Sequence, residues 1–351
     1  MPSSKRLQTL AIALITALLF TLAACSGNSQ PENGNYIQTP EGISGTTLVV
    51  YSTLVPSFAM PIIEMFEEQY NVTVELYTAT TAQTLARLHA EAEAPNADIM
   101  WGGSIFTLTP HTALFDAFTS VNEPYMLPGH ENTGGVLTSF TTSAGVLIVN
   151  TNQIGNIEIR GYECLLNPAL HGQIAIAYPS ATSETFSHLV NQLYAMGSGN
   201  PHAGWGYIEQ LIQNTAGIIL PDPAAVHAGV INGDFTVGLT CEEALFPYMH
   251  ANAHIKLVYM EEGITPAQTI VGIVNGAINR EGAEAFIDFV TSYEVQAFIV
   301  ASLNKRAVHS GVSPANASVA NTNWIPVRIE YILEHRSTWI EQFWDLWMTH
   351  N

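Results

Sequence analysis

Positive charge is what this chain has least of. Ten Lys and Arg stand against 30 Asp and Glu in 351 residues, a formal net charge of −20. Lys5 and Arg6 both lie in the N-terminal segment, so the remainder is more acidic still. A surface of that sign repels phosphate backbones and anionic headgroups, which argues against nucleic acid as a partner. Charge of either sign is thin, 11% of residues against a usual ~25%. Short uncharged side chains must therefore cover much of the surface.

Cysteine is nearly absent: Cys25, Cys164 and Cys241 are the only three. A disulfide framework is excluded, and Cys164 and Cys241 are expected to be free, mostly buried thiols. Catalytic signatures are missing too. "TTSAG" (141–145) lacks the first glycine of a nucleophile elbow, and "GNPHAGWG" (199–206) lacks the lysine of a P-loop. In "HANAH" (250–254) no glutamate follows His250, so His250 and His254 read as surface or cap residues rather than zinc ligands. No cofactor, no metal and no enzymatic activity are expected.

One long apolar run is present, at the start. Lys5 and Arg6 precede "LQTLAIALITALLFTLAA" (7–24), and Cys25 follows directly in "LAAC" (22–25). A basic start, an apolar core and small residues before a cut describe a secretory signal. A cysteine at that point resembles the lipobox of bacterial lipoproteins, which implies cleavage before Cys25, acylation of its thiol and a membrane anchor. Residues 26–45 read as a flexible tether. The expectation is a signal peptide over 1–24, a tether over 25–45, and an exported, membrane-anchored monomer facing the periplasm or cell surface.

Beyond the tether, apolar strands alternate with amphipathic helices. "TLVVYS" (47–52), "VTVELY" (72–77), "ADIMWG" (97–102), "AGVLIVN" (144–150), "QIAIAY" (173–178) and "FTVGLT" (235–240) read as strands. Residues 57–70, 81–93, 183–197, 280–302 and 327–348 read as helices. This alternation predicts α/β architecture with mainly parallel sheets flanked by helices. The stripe Trp339, Phe343, Trp344 and Trp347 reads as core or packing surface. Ligands in such folds bind beyond the carboxyl ends of strands, which singles out Ser52-Thr53, Gly103-Ser104, Thr142-Ser143, Ser180 to Thr185, and Glu242-Glu243.

Those loops carry a resemblance. "LVVYS" after the tether, "PNADIMWGG" (95–103), "LLNPALHGQIAIAYPSATSETF" (165–186) and "AAVHAGVINGDFTVGLT" (224–240) resemble, in order and spacing, the extracellular solute-binding proteins of bacterial ABC importers. The similarity is to the ferric-ion-binding-like branch, which also holds phosphonate, sugar-phosphate, thiamine and polyamine receptors. It implies a two-lobe, type II periplasmic-binding fold with a ligand cleft between the lobes and an ABC permease as partner. The implied lobes are 46–145 with about 266–318, and 146–265 with about 319–351. Hinge strands are expected near 146–150 and 258–272.

The sequence also departs from that branch. Where its ferric members place two adjacent tyrosines, Cys241-Glu242-Glu243 stand, and no adjacent tyrosine pair occurs anywhere. The hydroxyl-rich "SATSET" (180–185), where a strand hands over to a helix, suits a phosphate or carboxylate at the helix amides. Glu184 stabilises the helix start but repels an anion if it turns inward, while Glu242, Glu243 and the strongly negative charge of the protein favour a cation. The candidate ligand residues are Ser52, Thr53, Gly103, Ser104, Thr142, Ser143, Ser180, Thr182, Ser183, Glu242 and Glu243. The expected ligand is a small phosphorylated or carboxylated molecule, with iron, another metal, a polyamine or thiamine as the alternative. An exported hydrolase and a structural lipoprotein are the readings from other classes. Tyr125 is a candidate for the cleft rim, and Arg306 reads as a surface or interlobe ion-pair residue, with contact to an anionic ligand as the less favoured role.

Overall fold

The computed structural model describes residues 42–132, 135–249, 254–314 and 323–350. The signal, Cys25, tether residues 26–41 and His250 lie outside these residues; the last part of the expected tether, 42–45, is packed onto the fold instead, with Ile43 buried and the Gly45 amide bonded to the Asn71 carbonyl at 2.7 Å.

Two sheets organise the chain. The first has the order β2-β1-β3-β10-β4, with β5 also paired to β10. Its strands are β1 (Thr47–Ser52), β2 (Thr73–Thr78), β3 (Ile99–Ser104), β4 (Phe115–Asp116), β5 (Thr138–Ser143) and β10 (Ala267–Val274). The second has the order β7-β8-β6-β9, from β6 (Gly145–Asn150), β7 (Ile174–Ala175), β8 (Val237–Cys241) and β9 (Ile255–Val258). The chain passes from the first sheet to the second across the single residue Ala144. It returns between Val258 and Ala267.

Local chemistry sets the helix ends. Helix α1 (Pro56–Tyr70) opens on a proline at its first turn and stops at Asn71, which is left-handed at φ 52°. It buries Phe58, Ile62, Phe66 and Tyr70, a spacing that keeps one face on the sheet. Helix α2 (Thr81–Ala90) is held by a capping box from Thr80 to Gln83. A single turn, α3 (Ile105–Leu108), follows β3 with Ser104 as its N-cap. Helix α4 (Ser183–Met196) starts from a second capping box in which Thr182 and Thr185 bond each other's backbone. Helices α5 (Trp205–Asn214) and α6 (Pro223–Asn232) precede β8, and α7 (Glu242–Met249) follows it. The apolar stretch 280–302 divides into α8 (Arg280–Thr291) and α9 (Tyr293–Leu303), because Ser292 is extended and caps the second helix through its hydroxyl.

The expected strands and helices lie close to their observed positions, β4, β5, β9, α3 and α5 to α7 are additional to them, and the sheets are mixed rather than mainly parallel. β1 pairs parallel with β2 and β3, and β7 with β8. β10 runs antiparallel to β3, β4 and β5, and β6 runs antiparallel to β8 and β9. The antiparallel strands are those next to the crossings between sheets. A strand that has arrived from the other sheet needs no helical crossover to set its direction, so the parallel rule for βαβ units does not govern it.

The final helix, α10 (Ile329–His350), buries Trp339 and Phe343. They join the core formed with α4 and α5. Trp344 stacks on Tyr178, with ring centroids 4.8 Å apart. The aromatic stripe is packing surface.

Candidate functional site

A cavity of about 310 Å³ opens between the two sheets. Its lining comes from the ends of β3, β5 and β8, from the starts of β6 and α4, from 265–269, and from Lys305. The volume is at the lower end of the ~300–1,000 Å³ usual for small-molecule sites.

Of the candidate ligand residues, Gly103, Ser104, Ser143, Ser183 and Glu243 line this cavity. The others stand outside its lining. Ser52 is buried and donates its hydroxyl to the Trp101 carbonyl at 2.9 Å, tying β1 to β3. Thr53 donates its amide to the same carbonyl. Thr142 is buried beside Arg306, and the two form an isolated antiparallel bridge. Ser180 is exposed. Thr182 is spent as the N-cap of α4. Glu242 is buried in an ion pair away from the cavity. Tyr125 stacks on His309, with ring centroids 5.3 Å apart, and does not line the cavity.

The cavity also takes Glu184, from the loop singled out in the sequence, and Ser187, His188 and Asn191, which lie beyond the strand-end loops. They sit at i, i+3, i+4 and i+7 on α4, so they share one helical face. The opposite face, with Phe186, Leu189, Val190 and Leu193, is core. A polar stripe at helical spacing beside an apolar one was the available signal. Gln268, Thr265 and Lys305 complete the polar wall, and nothing local in sequence marks them.

Most polar groups of this wall are held in place by one another. The Ser183 hydroxyl pairs with that of Thr107 at 2.6 Å. Ser187 donates to the Ser183 carbonyl at 2.8 Å. Asn191 donates to the Tyr162 hydroxyl at 2.6 Å and accepts from the Thr265 amide at 2.7 Å. Glu243 accepts from the Ser143 hydroxyl and from the Lys305 ammonium at 2.5 Å. Burial alone would push the Glu243 carboxyl up, but Lys305 and Ser143 hold it below the usual carboxylate range. Lys305 answers in kind: burial opposes its charge, Glu243 outweighs burial, and the ammonium is held above its ordinary value. Glu184 is pushed up by burial and by the neighbouring charge of Glu243. Burial and nearby His227 push His188 down to about 4, so its ring is neutral at ordinary pH.

Glu242 belongs to a different structure. It is 2% exposed. It accepts from Arg306 Nε and, at 3.0 Å, from Arg306 Nη2. The Tyr259 hydroxyl at 2.6 Å and the Ala144 amide at 3.3 Å complete its shell. Arg306 stacks over Tyr259 and Trp324, 5.3 and 5.2 Å from the ring centroids. The pair straddles the residue at which the chain changes sheets, so the ion-pair reading of Arg306 agrees with its geometry.

Among the described residues no group of three His, Cys, Asp or Glu is placed to hold a metal ion. His254 turns Nε2 to the Ile231 carbonyl at 3.2 Å. Cys164 and Cys241 are free and half-buried, and burial pushes the Cys241 thiol up.

Known proteins agree with this architecture. Residues 46–302 match the family model described as bacterial extracellular solute-binding protein. Iron uptake protein A1 of Synechocystis is 27% identical over 283 residues, covering 72% of this chain and 76% of that protein. The periplasmic binding protein AfuA of Actinobacillus pleuropneumoniae, solved with fructose-6-phosphate, superposes with a TM-score of 0.68 at 21% identity, covering 86% of this chain and 98% of that one. A ferric-iron-binding protein A of Mannheimia haemolytica, in an open conformation, gives 0.73 at 15% identity, covering 86% and 98%. The two structural likenesses show the fold alone, a type II periplasmic-binding architecture. The family is one of solute capture and not of catalysis, and it implies export, a small-molecule ligand and an ABC permease. No helix among the described residues is long and apolar enough to cross a membrane. The match over most of the chain places it plainly: this protein belongs to the bacterial extracellular solute-binding proteins.

Proposed function

We propose that the protein captures a small phosphorylated or carboxylated organic molecule in the cavity between its sheets and delivers it to an ABC permease. The carrying observation is that Glu242 and Glu243, which would have favoured a cation, are already engaged, which leaves Glu184 as the one carboxylate of the cavity lining outside an ion pair. Glu242 is consumed by Arg306 and Glu243 by Lys305. A bare metal ion needs several free oxygen, nitrogen or sulfur ligands, and a polyamine needs more than one free carboxylate. What remains in the wall is hydroxyls, amides, the first turn of α4 and a single carboxylate, Glu184, with Lys305 already paired to Glu243. These suit an organic anion held mainly by hydrogen bonds. The relatives' cargoes, iron in one name and a sugar phosphate in another, span both alternatives and do not choose between them.

The lobes are proposed as 46–145 with about 266–318, and 146–265 with about 319–351. Support comes from the two points at which the chain changes sheets. Closure of these lobes about the crossings follows from such a division. The chain is further proposed to act as a monomer anchored through acylated Cys25.

Native mass spectrometry after incubation in a bacterial metabolite extract tests the ligand. The protein should retain one small organic anion, and solution scattering should show the loaded form to be the more compact. Retention of iron or of a polyamine would select the cation alternative. Cys25→Ala should move the chain out of the membrane fraction, and unchanged partition would remove the anchor from the proposal.

A further inference from the structure

Arg336 stands on the buried face of the last helix. Ile332, Trp339 and Phe343 are the residues that α10 buries, and Arg336 follows Ile332 by four positions, so it shares their stripe. It is half-buried and enters none of the ion pairs among the described residues, in a chain with 30 acidic residues to choose from. Burial pulls the guanidinium below its ordinary value. Its charge is used in another way. The guanidinium lies over the Phe186 ring, 4.8 Å from the centroid, and Nη1 donates to the Phe106 carbonyl at 3.3 Å. That carbonyl lacks the usual helical donor, because the residue four positions on is Pro110, which has no amide hydrogen.

Phe106 and Phe186 come from opposite sides of the cavity. Phe186 is on the core face of α4, and Phe106 is in α3, the single turn after β3 of the first sheet. Phe106 is nevertheless 2% exposed within the core of the second sheet, whose other buried members run from Ala144 onward. It meets Phe186 edge to face, with ring centroids 5.7 Å apart. Two positions later Leu108 is buried in the core of the first sheet, and Ile105 packs against both cores. The turn α3 thus joins the two cores without belonging to either crossing of the chain. It also borders the cavity. Ser104, its N-cap, lines the wall, and the Thr107 hydroxyl meets that of Ser183, another lining residue. The distance between these two walls therefore depends on how firmly α3 is seated. Apolar packing of Phe106 is non-directional and resists withdrawal more than sliding. A charged donor on a backbone carbonyl, with its cation held over a ring, is directional and fixes the position.

We infer that Arg336 is a positioning residue for the cavity: it clamps α3 onto α4 and so sets the spacing of the Ser104 and Ser183 walls, although it does not itself line the space between them. The inference rests on the receptor role proposed for that cavity. Without the clamp, α3 lifts from α4 more often and the cavity opens, while the two cores stay packed.

Cys241 reports such opening with no ligand present. It lines the cavity, whereas Cys164 packs against the core of the second sheet and is absent from the lining; both are free and half-buried. Alkylation by N-ethylmaleimide, followed at each cysteine by peptide mass spectrometry, is compared in the wild-type protein, Arg336→Met and Arg336→Lys. Methionine keeps an unbranched apolar stem and removes the charge and the donors. In Arg336→Met, Cys241 should react roughly tenfold faster, as for a more frequent local opening, and Cys164 at an unchanged rate. Arg336→Lys keeps the charge and a donor and should stand nearer to the wild type. An unchanged Cys241 rate in Arg336→Met would overturn the inference. Equal acceleration of both cysteines would overturn it too, because Arg336 would then be a general support of the second core, and so would a lysine variant as fast as the methionine one. If Arg336→Met does not fold, Arg336→Gln carries the same two expectations. The measurement involves no ligand, so its failure leaves the receptor reading standing, while an empty protein after the metabolite extract removes that reading and leaves the clamp to be judged by Cys241.

Discussion

Glu242 and Glu243 are neighbours in the chain and lie in two different environments. Glu242 points into the crossing between sheets, where Arg306, Tyr259 and the Ala144 amide surround it. Glu243 points into the cavity wall and meets Lys305 and Ser143 there. Side chains at the crossing are almost fully buried, 8% exposed for Arg306 and 3% for Glu242. Those at the wall keep more contact with solvent, 27% for Lys305 and 17% for Glu243. Two adjacent carboxylates thus serve two purposes. One closes a buried structural pair, and the other lines the cavity between the sheets.

The comparison breaks or holds on what each pair is worth. Arg306→Met leaves Glu242 buried without its partner and should cost about 3–5 kcal/mol of stability, as for other broken buried pairs. Urea unfolding measures it. Lys305→Met should cost clearly less, because water reaches Glu243. Equal losses would mean that the wall pair is as structural as the crossing pair.

A smaller effect sharpens the same contrast through pH. The pKa of His188 in the folded state is about 4, below its unfolded value of 6.5. Its contribution to stability is therefore fully present above pH 6.5 and is lost as the pH falls towards 4, because the unfolded chain binds the proton first. Glu184, whose pKa is raised on folding, acts with the opposite sign, and the comparison of wild type with His188→Leu cancels it. Across pH 4–6.5 the variant should show a shallower fall of stability with acid, by about one proton taken up on unfolding. Parallel pH profiles for the two proteins would contradict a buried, neutral His188.

The smallest expected effects separate hydroxyls that look alike in "SATSET". Thr182→Ala removes the N-cap of α4 and should cost about 1 kcal/mol in thermal unfolding. Ser180→Ala changes an exposed residue outside the cavity and should stay within about 0.5 kcal/mol. A loss at Ser180 matching that at Thr182 would mean that the loop is held differently.

Much of the fold was legible because local chemistry repeats it. The α1 stripe Phe58, Ile62 and Phe66 and the hydroxyl-to-helix handover at 182–185 each carry their own structural instruction, whereas the strand expected to end at Gly102 runs on to Ser104. The site was legible only in part. Gly103, Ser104, Ser143, Ser183 and Glu243 follow from the rule that ligands meet strand ends. Ser52 and Thr142 obey the same rule, yet their positions are buried by pairing with Trp101 and Arg306. A strand end says where a loop leaves the sheet, not which way its side chain turns. His188 and Asn191 were written in the periodicity of α4, but a polar stripe inside a helix ordinarily faces water, and here it faces a second sheet.

By itself the sequence determined the α/β alternation, the helix boundaries, the acidic surface and the absence of catalytic and nucleotide motifs. Each depends on residues a few positions apart or on simple sums of charge. Only the tertiary structure decided that the sheets are mixed and that Glu242 and Glu243 separate to different partners. It also brought Lys305 beside a carboxylate 62 positions earlier and left Glu184 outside the ion pairs of the described residues. These outcomes depend on contacts between distant segments, which form when the chain crosses twice between its sheets, and no local pattern encodes which charges such a crossing will bring together.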